Sequence, residues 1–254
     1  MSEFDDILSD AELLRYSRQI SIKSIDIDGQ EQLKQAKVLI LGLGGLGCTA
    51  AQYLAVAGVG QLTLVDFDTV ELSNLQRQVL HQDKNIGQAK VDSAAQTIAE
   101  LNPLIETNTI NQRLDEQQIN ALVQRHDVVL DCSDNVAVRE QLNTACLQHK
   151  VPLVSAAAIR MEGLVTVFDY QAQSPCYHCF SRFFGEQQLS CVESGILAPV
   201  IGTIGSLQAV EAIKLLCNIG KPLVGRVLMF DALSMEMREM KLTKQMNCSV
   251  CGCS

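Results

Sequence analysis

Residues 38–47 constrain the chain most, because the apolar run Val38-Leu39-Ile40-Leu41 stops abruptly in Gly42-Leu43-Gly44-Gly45-Leu46-Gly47. Strand-prone residues followed by four glycines in six positions predict a buried strand that turns sharply into a helix. Glycines permit the tight turn and let backbone N–H groups approach a phosphate, which a helix N-terminus also favours. The pattern matches G-x-G-x-x-G. A lone match of that kind is weak: it leaves open which nucleotide is held and for what chemistry.

The remaining sequence predicts the surroundings of this turn. Ser9-Asp10-Ala11-Glu12 has the form of a capping box and opens a short helix through Arg15 and Arg18 to Ile20. Apolar runs at 37–41, 61–66, 105–110, 127–131 and 151–155 alternate with helical patterns near 45–57, 87–101, 115–125 and 136–149. Beyond residue 155 the pattern changes. Runs at 163–170, 226–230 and 235–242 read as strands that pair antiparallel, with one long helix at 199–216 between them. The expectation is an α/β fold with a Rossmann-like, mostly parallel sheet, helices on both faces and C-terminal antiparallel strands. With no repeat and no linker, the whole of 1–254 reads as one nucleotide-binding domain.

A net charge of −9 argues against a nucleic-acid surface, so any positive charge beside a phosphate must come from a few placed residues. Met1-Ser2-Glu3-Phe4-Asp5-Asp6 is acidic and unlike a secretory signal, and the apolar stretch Ile196 to Leu207 is broken by Pro199 and glycines. Neither points to a membrane. Ten cysteines without a secretory signal fit a reducing cytoplasm, with thiols free or on metal.

Four of those cysteines form two matched knuckles, Cys176-Tyr177-His178-Cys179 and Cys248-Ser249-Val250-Cys251. Each C-x-x-C turns two thiolates to one side, and two such turns complete a tetrahedral zinc site with no open position. The expected role is therefore structural: a staple between a C-terminal tail and a distant loop. His178 is redundant as a ligand. Cys48, Cys132, Cys146 and Cys217 lie in apolar contexts and read as small core residues.

A nicotinamide dehydrogenase is the first rival, since Asp66 lies about 20 residues past the glycine loop and suits ribose hydroxyls. ATP satisfies the same features. The next stretches separate the two readings. Ser73-Asn74-Leu75-Gln76-Arg77-Gln78 leaves the second strand, Lys90 stands near the start of a helix, and Asp131-Cys132-Ser133-Asp134-Asn135 closes the fourth strand. Loops at the carboxyl ends of parallel strands gather into one crevice. Two cations and a carboxylate for Mg²⁺ suit phosphoryl or nucleotidyl transfer better than hydride transfer. The bland alternatives are that Arg77 and Lys90 are solvated surface charges and that Asp134 caps a helix.

These motifs, with Arg15-Tyr16-Ser17-Arg18-Gln19-Ile20 at the N-terminus, resemble the ubiquitin-activating-like superfamily of adenylyltransferases across essentially the whole chain. Ala157 to Gly163, Ser181 to Glu186 and Arg238 to Leu242 are most similar to the bacterial molybdopterin-synthase adenylyltransferases within it. The resemblance implies ATP-dependent adenylation of the C-terminal glycine of a small ubiquitin-fold sulfur-carrier protein, in molybdenum cofactor biosynthesis. It implies Arg18, Arg77, Lys90 and Asp134 as catalytic residues, Arg18 reaching across a homodimer that binds two carriers. ATP is implied to contact Gly45, Asp66, Ser73, Asn74, Leu75, Gln76, Arg77, Lys90, Asp134 and Asn135. Asp134 is implied to hold Mg²⁺.

Cys191 corresponds to a region where relatives link covalently to the carrier, but the neighbouring Glu193 opposes the thiolate. A non-covalent place beside the carrier tail is the preferred reading. Phe180 to Leu189 reads as a loop over the crevice or as ordinary surface. Two other functions stay open: the same chemistry on the thiamine-pathway carrier, and a non-adenylating nucleotide-binding scaffold for sulfur relay.

Overall fold

The computed structural model describes residues 7–182 and 195–252. Two short helices, α1 (Asp10–Arg15) and α2 (Ser17–Ile20), precede α3 (Asp26–Gln35) and β1 (Lys37–Leu41). Then come α4 (Gly45–Val56), β2 (Gln61–Val65), α5 (Lys90–Leu101), β3 (Glu106–Ile110) and α6 (Glu116–Val123). They are followed by β4 (Val128–Asp131), α7 (Val136–His149), β5 (Leu153–Ile159) and β6 (Glu162–Phe168). The C-terminal part holds α8 (Tyr177–Ser181), α9 (Ala198–Leu216), β7 (Arg226–Asp231) and β8 (Glu236–Lys241).

The capping box at Ser9 and Glu12 forms, but the helix expected to run to Ile20 breaks at Tyr16. Tyr16 leaves helical geometry at φ −96° and ψ 10°, and its buried hydroxyl accepts a hydrogen bond from Asn102 Nδ2 at 2.8 Å. A buried tertiary partner thus overrides the local helical preference.

The eight strands among the described residues join one sheet in the order β3-β2-β1-β4-β5-β6-β7-β8. The first five run parallel, and β6, β7 and β8 are antiparallel, as the change of pattern after residue 155 predicts. β5 is longer than expected, extending to Ile159, and it pairs with β6 from Leu153↔Phe168 to Ile159↔Glu162. Their turn uses Arg160 at φ +55°, a left-handed residue that carries no glycine signature in the sequence.

Alternate strand residues feed two cores. Val38, Ile40, Leu62, Leu64, Leu130 and Val154 face α4, α5 and α9, while Leu39, Val129 and Leu153 face α6, α7 and the cysteine knuckles. α9 is long and apolar enough to cross a membrane by length and composition. Here Val200, Ile201, Ile204, Ala209 and Ala212 are buried in the first core. β1 pairs with β2 on one side and β4 on the other, so the chain order reverses beside it. In an open α/β sheet such a reversal is where a crevice forms at the strands' carboxyl ends.

Candidate functional site

The glycine loop is fixed by close neighbours on two sides. Gly42 has φ +97°, and a Cβ there would lie 2.7 Å from the Cys132 carbonyl oxygen, so the β4 end presses directly on the turn. A Cβ on Gly45 would meet Ile201 Cγ2 at 2.5 Å and the Arg77 carbonyl oxygen at 3.0 Å. Gly45 is therefore required by α9 and by the segment carrying Arg77, a packing reason beyond the close approach to phosphate expected from the motif. Gly44, the N-cap of α4, has open space where a Cβ would point. The unpaired N–H groups of the first α4 turn favour an anion on that side.

Asp66 ties the loop to β2. Its Oδ2 accepts from the Leu43 N–H at 2.7 Å and its Oδ1 from the Asp68 N–H at 2.9 Å. An ionised carboxylate has about four acceptor sites, so two remain for ribose hydroxyls. Asp68, which sequence reasoning missed, in turn fixes Lys90. The buried ammonium lies 2.8 Å from Asp68 Oδ2, and the Lys90 N–H donates to the Asp68 carbonyl at 3.0 Å. Lys90 is thus a placed cation rather than a solvated one. The missed signal was Asp66-Phe67-Asp68 itself, a second acid two residues after the first.

Behind the loop, the Cys48 thiol donates to the Leu43 carbonyl at 3.3 Å and lies 3.6 Å from His81 Nε2, whose Nδ1 meets Ser93 Oγ at 2.9 Å. Burial pushes the Cys48 thiol up to about 12 and Cys217 to about 11, and raises Cys132 and Cys146 further. All four are inert core thiols.

Ser73 and Asn74 belong to a 3₁₀ turn, Leu72–Asn74, and Asn74 is buried. Asn74 Nδ2 donates to Ser73 Oγ at 3.3 Å, and the Arg77 guanidinium donates to the Ser73 carbonyl at 2.9 Å. Leu75 caps the turn, while Gln76 is exposed. The segment reaches the start of α4 through the Arg77 carbonyl near Gly45, while the Arg77 side chain folds back on its own turn.

On the β4 side, Asp131 is fully buried and accepts from Ser133 Oγ at 2.7 Å and Ser155 Oγ at 2.8 Å. Arg139 on α7 stands 3.4 Å from the Asp131 carboxylate and donates to the Ser133 and Ala156 carbonyls at 2.6 and 3.2 Å. This buried pair holds the 131–135 loop in shape, and sequence reasoning did not reach Arg139. Asn135, not Asp134, caps α7 by accepting from the Val138 N–H at 3.2 Å. Asp134 is exposed and makes no hydrogen bond or ion pair among the described residues. An unpaired carboxylate at the crevice mouth suits a hard cation such as Mg²⁺.

Arg18 is not brought to this crevice within one chain. Its neighbour Gln19 donates to the Ala57 carbonyl at 3.0 Å, at the far end of α4. A helix of that length separates the position from the glycine loop by about 18 Å. Cys191 and residues 183–189 of the expected loop lie outside the described residues.

The cysteine knuckles converge on the opposite face. Sγ atoms of Cys176, Cys179, Cys248 and Cys251 all lie within 4.8 Å of one another. Neighbouring pairs stand at 3.9, 3.7 and 3.5 Å. A tetrahedron with Zn–S of 2.3 Å has edges of about 3.8 Å, so the thiols fit zinc without rearrangement. His178 turns instead to Glu140 at 3.1 Å and to Ser249 at 3.2 Å.

Comparison with known proteins extends the geometry. The sequence model of the ThiF family matches residues 16–250. The chain belongs to the ThiF family. It is 60% identical over 245 residues to the molybdopterin-synthase adenylyltransferase of Escherichia coli K12, covering 96% of this chain and 98% of that one. The corresponding Haemophilus influenzae protein is 56% identical over 239 residues, covering 94% and 98%. The adenylyltransferase and sulfurtransferase MOCS3 of Drosophila virilis is 45% identical over 248 residues, which span 96% of this chain but 55% of that protein. Among solved structures, E. coli MccB with ATP superimposes at a TM-score of 0.82 with 22% identity, over 97% of this chain and 76% of that one. PaaA does so at 0.81 with 27% identity, over 96% and 77%. Both solved structures share the fold of this chain.

Proposed function

We propose that the chain is a nucleotidyltransferase that adenylates the C-terminal glycine of the small sulfur-carrier subunit of molybdopterin synthase, using ATP and releasing pyrophosphate in molybdenum cofactor biosynthesis. One observation carries this reading. The glycine loop, Asp66, the Asp68-held Lys90, the Arg77 segment and Asp134, unpartnered among the described residues, all follow the carboxyl ends of β1, β2 and β4 in the chain. They do so in a chain 60% identical, over 96% of its length, to an enzyme named for that activity.

The chemistry explains the placement. A carboxylate attacking the α-phosphorus brings negative groups together, and the barrier falls where fixed charge meets the charge that accumulates. Lys90 and Arg77 take the triphosphate, the first α4 turn receives phosphate near Gly44 and Gly45, and Asp66 holds the ribose. Ser73, Asn74, Leu75 and Gln76 line the ATP site, with Asn74 and Gln76 orienting phosphate or the incoming carboxylate, and Asn135 contacts ATP beside Asp134. Asp134 holds Mg²⁺, which when bound neutralises phosphate charge. Arg18 serves the crevice of a second subunit, in a homodimer that carries two sulfur carriers. Cys176, Cys179, Cys248 and Cys251 hold a structural Zn²⁺. The single domain works in the cytoplasm.

Pyrophosphate release, measured with ATP and each purified carrier in turn, tests the substrate. The expected result is release with the molybdopterin-synthase carrier and little with the thiamine-pathway carrier. Release with the second alone would move the enzyme to that pathway.

A further inference from the structure

Phe67 and Arg113 are assigned no task by the residues discussed so far. Phe67 follows Asp66 directly, yet half of its surface is exposed, an expensive position for a phenyl ring. Arg113 leaves the end of β3, the strand beside β2, and the two strand ends are joined by the Asp66 N–H bonded to the Ile110 carbonyl at 3.3 Å. The Arg113 guanidinium carbon lies 4.4 Å from the Phe67 ring centroid. It makes no ion pair among the described residues, although the chain is rich in carboxylates. A planar cation stacked on an open ring presents a flat, polarizable surface with N–H donors at its edge.

The nucleotide's course identifies what lies there. Phosphates at the α4 start and ribose on Asp66 direct the base outward past the β2 end, where Phe67 and Arg113 stand. We propose that Phe67 and Arg113 form the platform on which the adenine base stacks, and that Arg113 sets the preference for a purine. This rests on the ATP reading above and adds the base-selecting element that the phosphate and ribose groups lack. Stacking on aromatic and guanidinium planes serves every base but favours the larger purines, and the guanidinium edge can donate to ring nitrogens.

Equilibrium binding of ATP, CTP and inorganic tripolyphosphate to the full-length protein, without carrier, provides the test. Arg113→Ala should weaken ATP about tenfold and shrink the ATP-over-CTP preference by a similar factor. Tripolyphosphate, which has no base, should bind within twofold of the parent. Phe67→Tyr should retain ATP affinity, whereas Phe67→Ala should lower it as Arg113→Ala does. ATP affinity within twofold of the parent in Arg113→Ala overturns the proposal. So does an equal loss for tripolyphosphate, which would mark Arg113 as a phosphate-attracting charge. A parent protein that binds ATP with this base dependence but makes no carrier adenylate leaves the platform standing and removes the adenylation reading. Failure to bind ATP at all removes both.

Discussion

Asp134 is the residue where position and chemistry separate most cleanly. Asn135 has the capping task, and Asp134 is exposed with no partner among the described residues. Asp134→Ala should therefore leave the melting temperature nearly unchanged, as surface substitutions generally do, while lowering ATP–pyrophosphate exchange at least about 100-fold. Normal exchange in a folded variant would remove its metal-binding role. His126 offers a stability prediction of a different kind. Burial keeps its pKa below the ordinary 6.5, with Thr63 Oγ1 at 2.7 Å from Nε2 and the Leu122 carbonyl at 2.7 Å from Nδ1. The neutral ring is favoured in the folded state, so its contribution is complete above the unfolded pKa and is lost as pH falls through the lower folded value. Urea unfolding should show stability falling from about pH 7 to pH 5. His126→Gln should flatten that slope, with the likewise buried His81 supplying what remains. An unchanged slope would mean other groups control it. Asp66, Lys90 and Asp134 were legible as residues because each stands at a strand or helix end in a recognisable motif. Asp68 and Arg139 were not, because their importance is a contact across 22 positions in one case and burial beside Asp131 in the other.

At the scale of elements, the site depends on how closely α9 lies on α4. A Cβ on Gly205 would sit 2.8 Å from Thr49 Cβ and 2.9 Å from the Leu46 carbonyl, so no side chain fits between the helices there. Gly205→Leu should push α9 away and cost about 1–3 kcal/mol in unfolding free energy. Because Ile201 on the same helix packs at Gly45, ATP affinity should fall in the same variant. Loss of stability with undiminished ATP affinity would show that the glycine loop keeps its shape independently of α9. The sequence made α9 visible as a helix, but not its neighbour, since helical period and apolar content say nothing about which face meets which element. The alternating strands and helices up to residue 155 were legible for the opposite reason: a parallel sheet with covered faces is nearly the only way to bury such a pattern. The break at Tyr16 and the left-handed turn at Arg160 were hidden because tertiary partners, not local propensity, decide them.

The whole molecule raises the question of Arg18. Its helix is anchored near Ala57, at the far end of α4 from the glycine loop, so the proposed action of Arg18 on ATP requires a second chain. Inactive Arg18→Ala and Asp134→Ala homodimers should regain part of the parent activity after subunit exchange, because each heterodimer contains one intact composite site. Verified exchange without recovery would mean that Arg18 acts within its own chain. The pairing of the two cysteine knuckles was legible from their matched spacing, whereas their place against α7 required the fold, through the Tyr177 N–H bonded to Asn143 Oδ1 at 2.9 Å. The most direct test of the account is intact-mass analysis of the purified molybdopterin-synthase carrier after incubation with this protein, ATP and Mg²⁺. The carrier mass should increase by one adenylyl group on its C-terminal glycine, dependent on ATP and absent with Asp134→Ala. A carrier that stays unmodified while the protein binds ATP normally would contradict it.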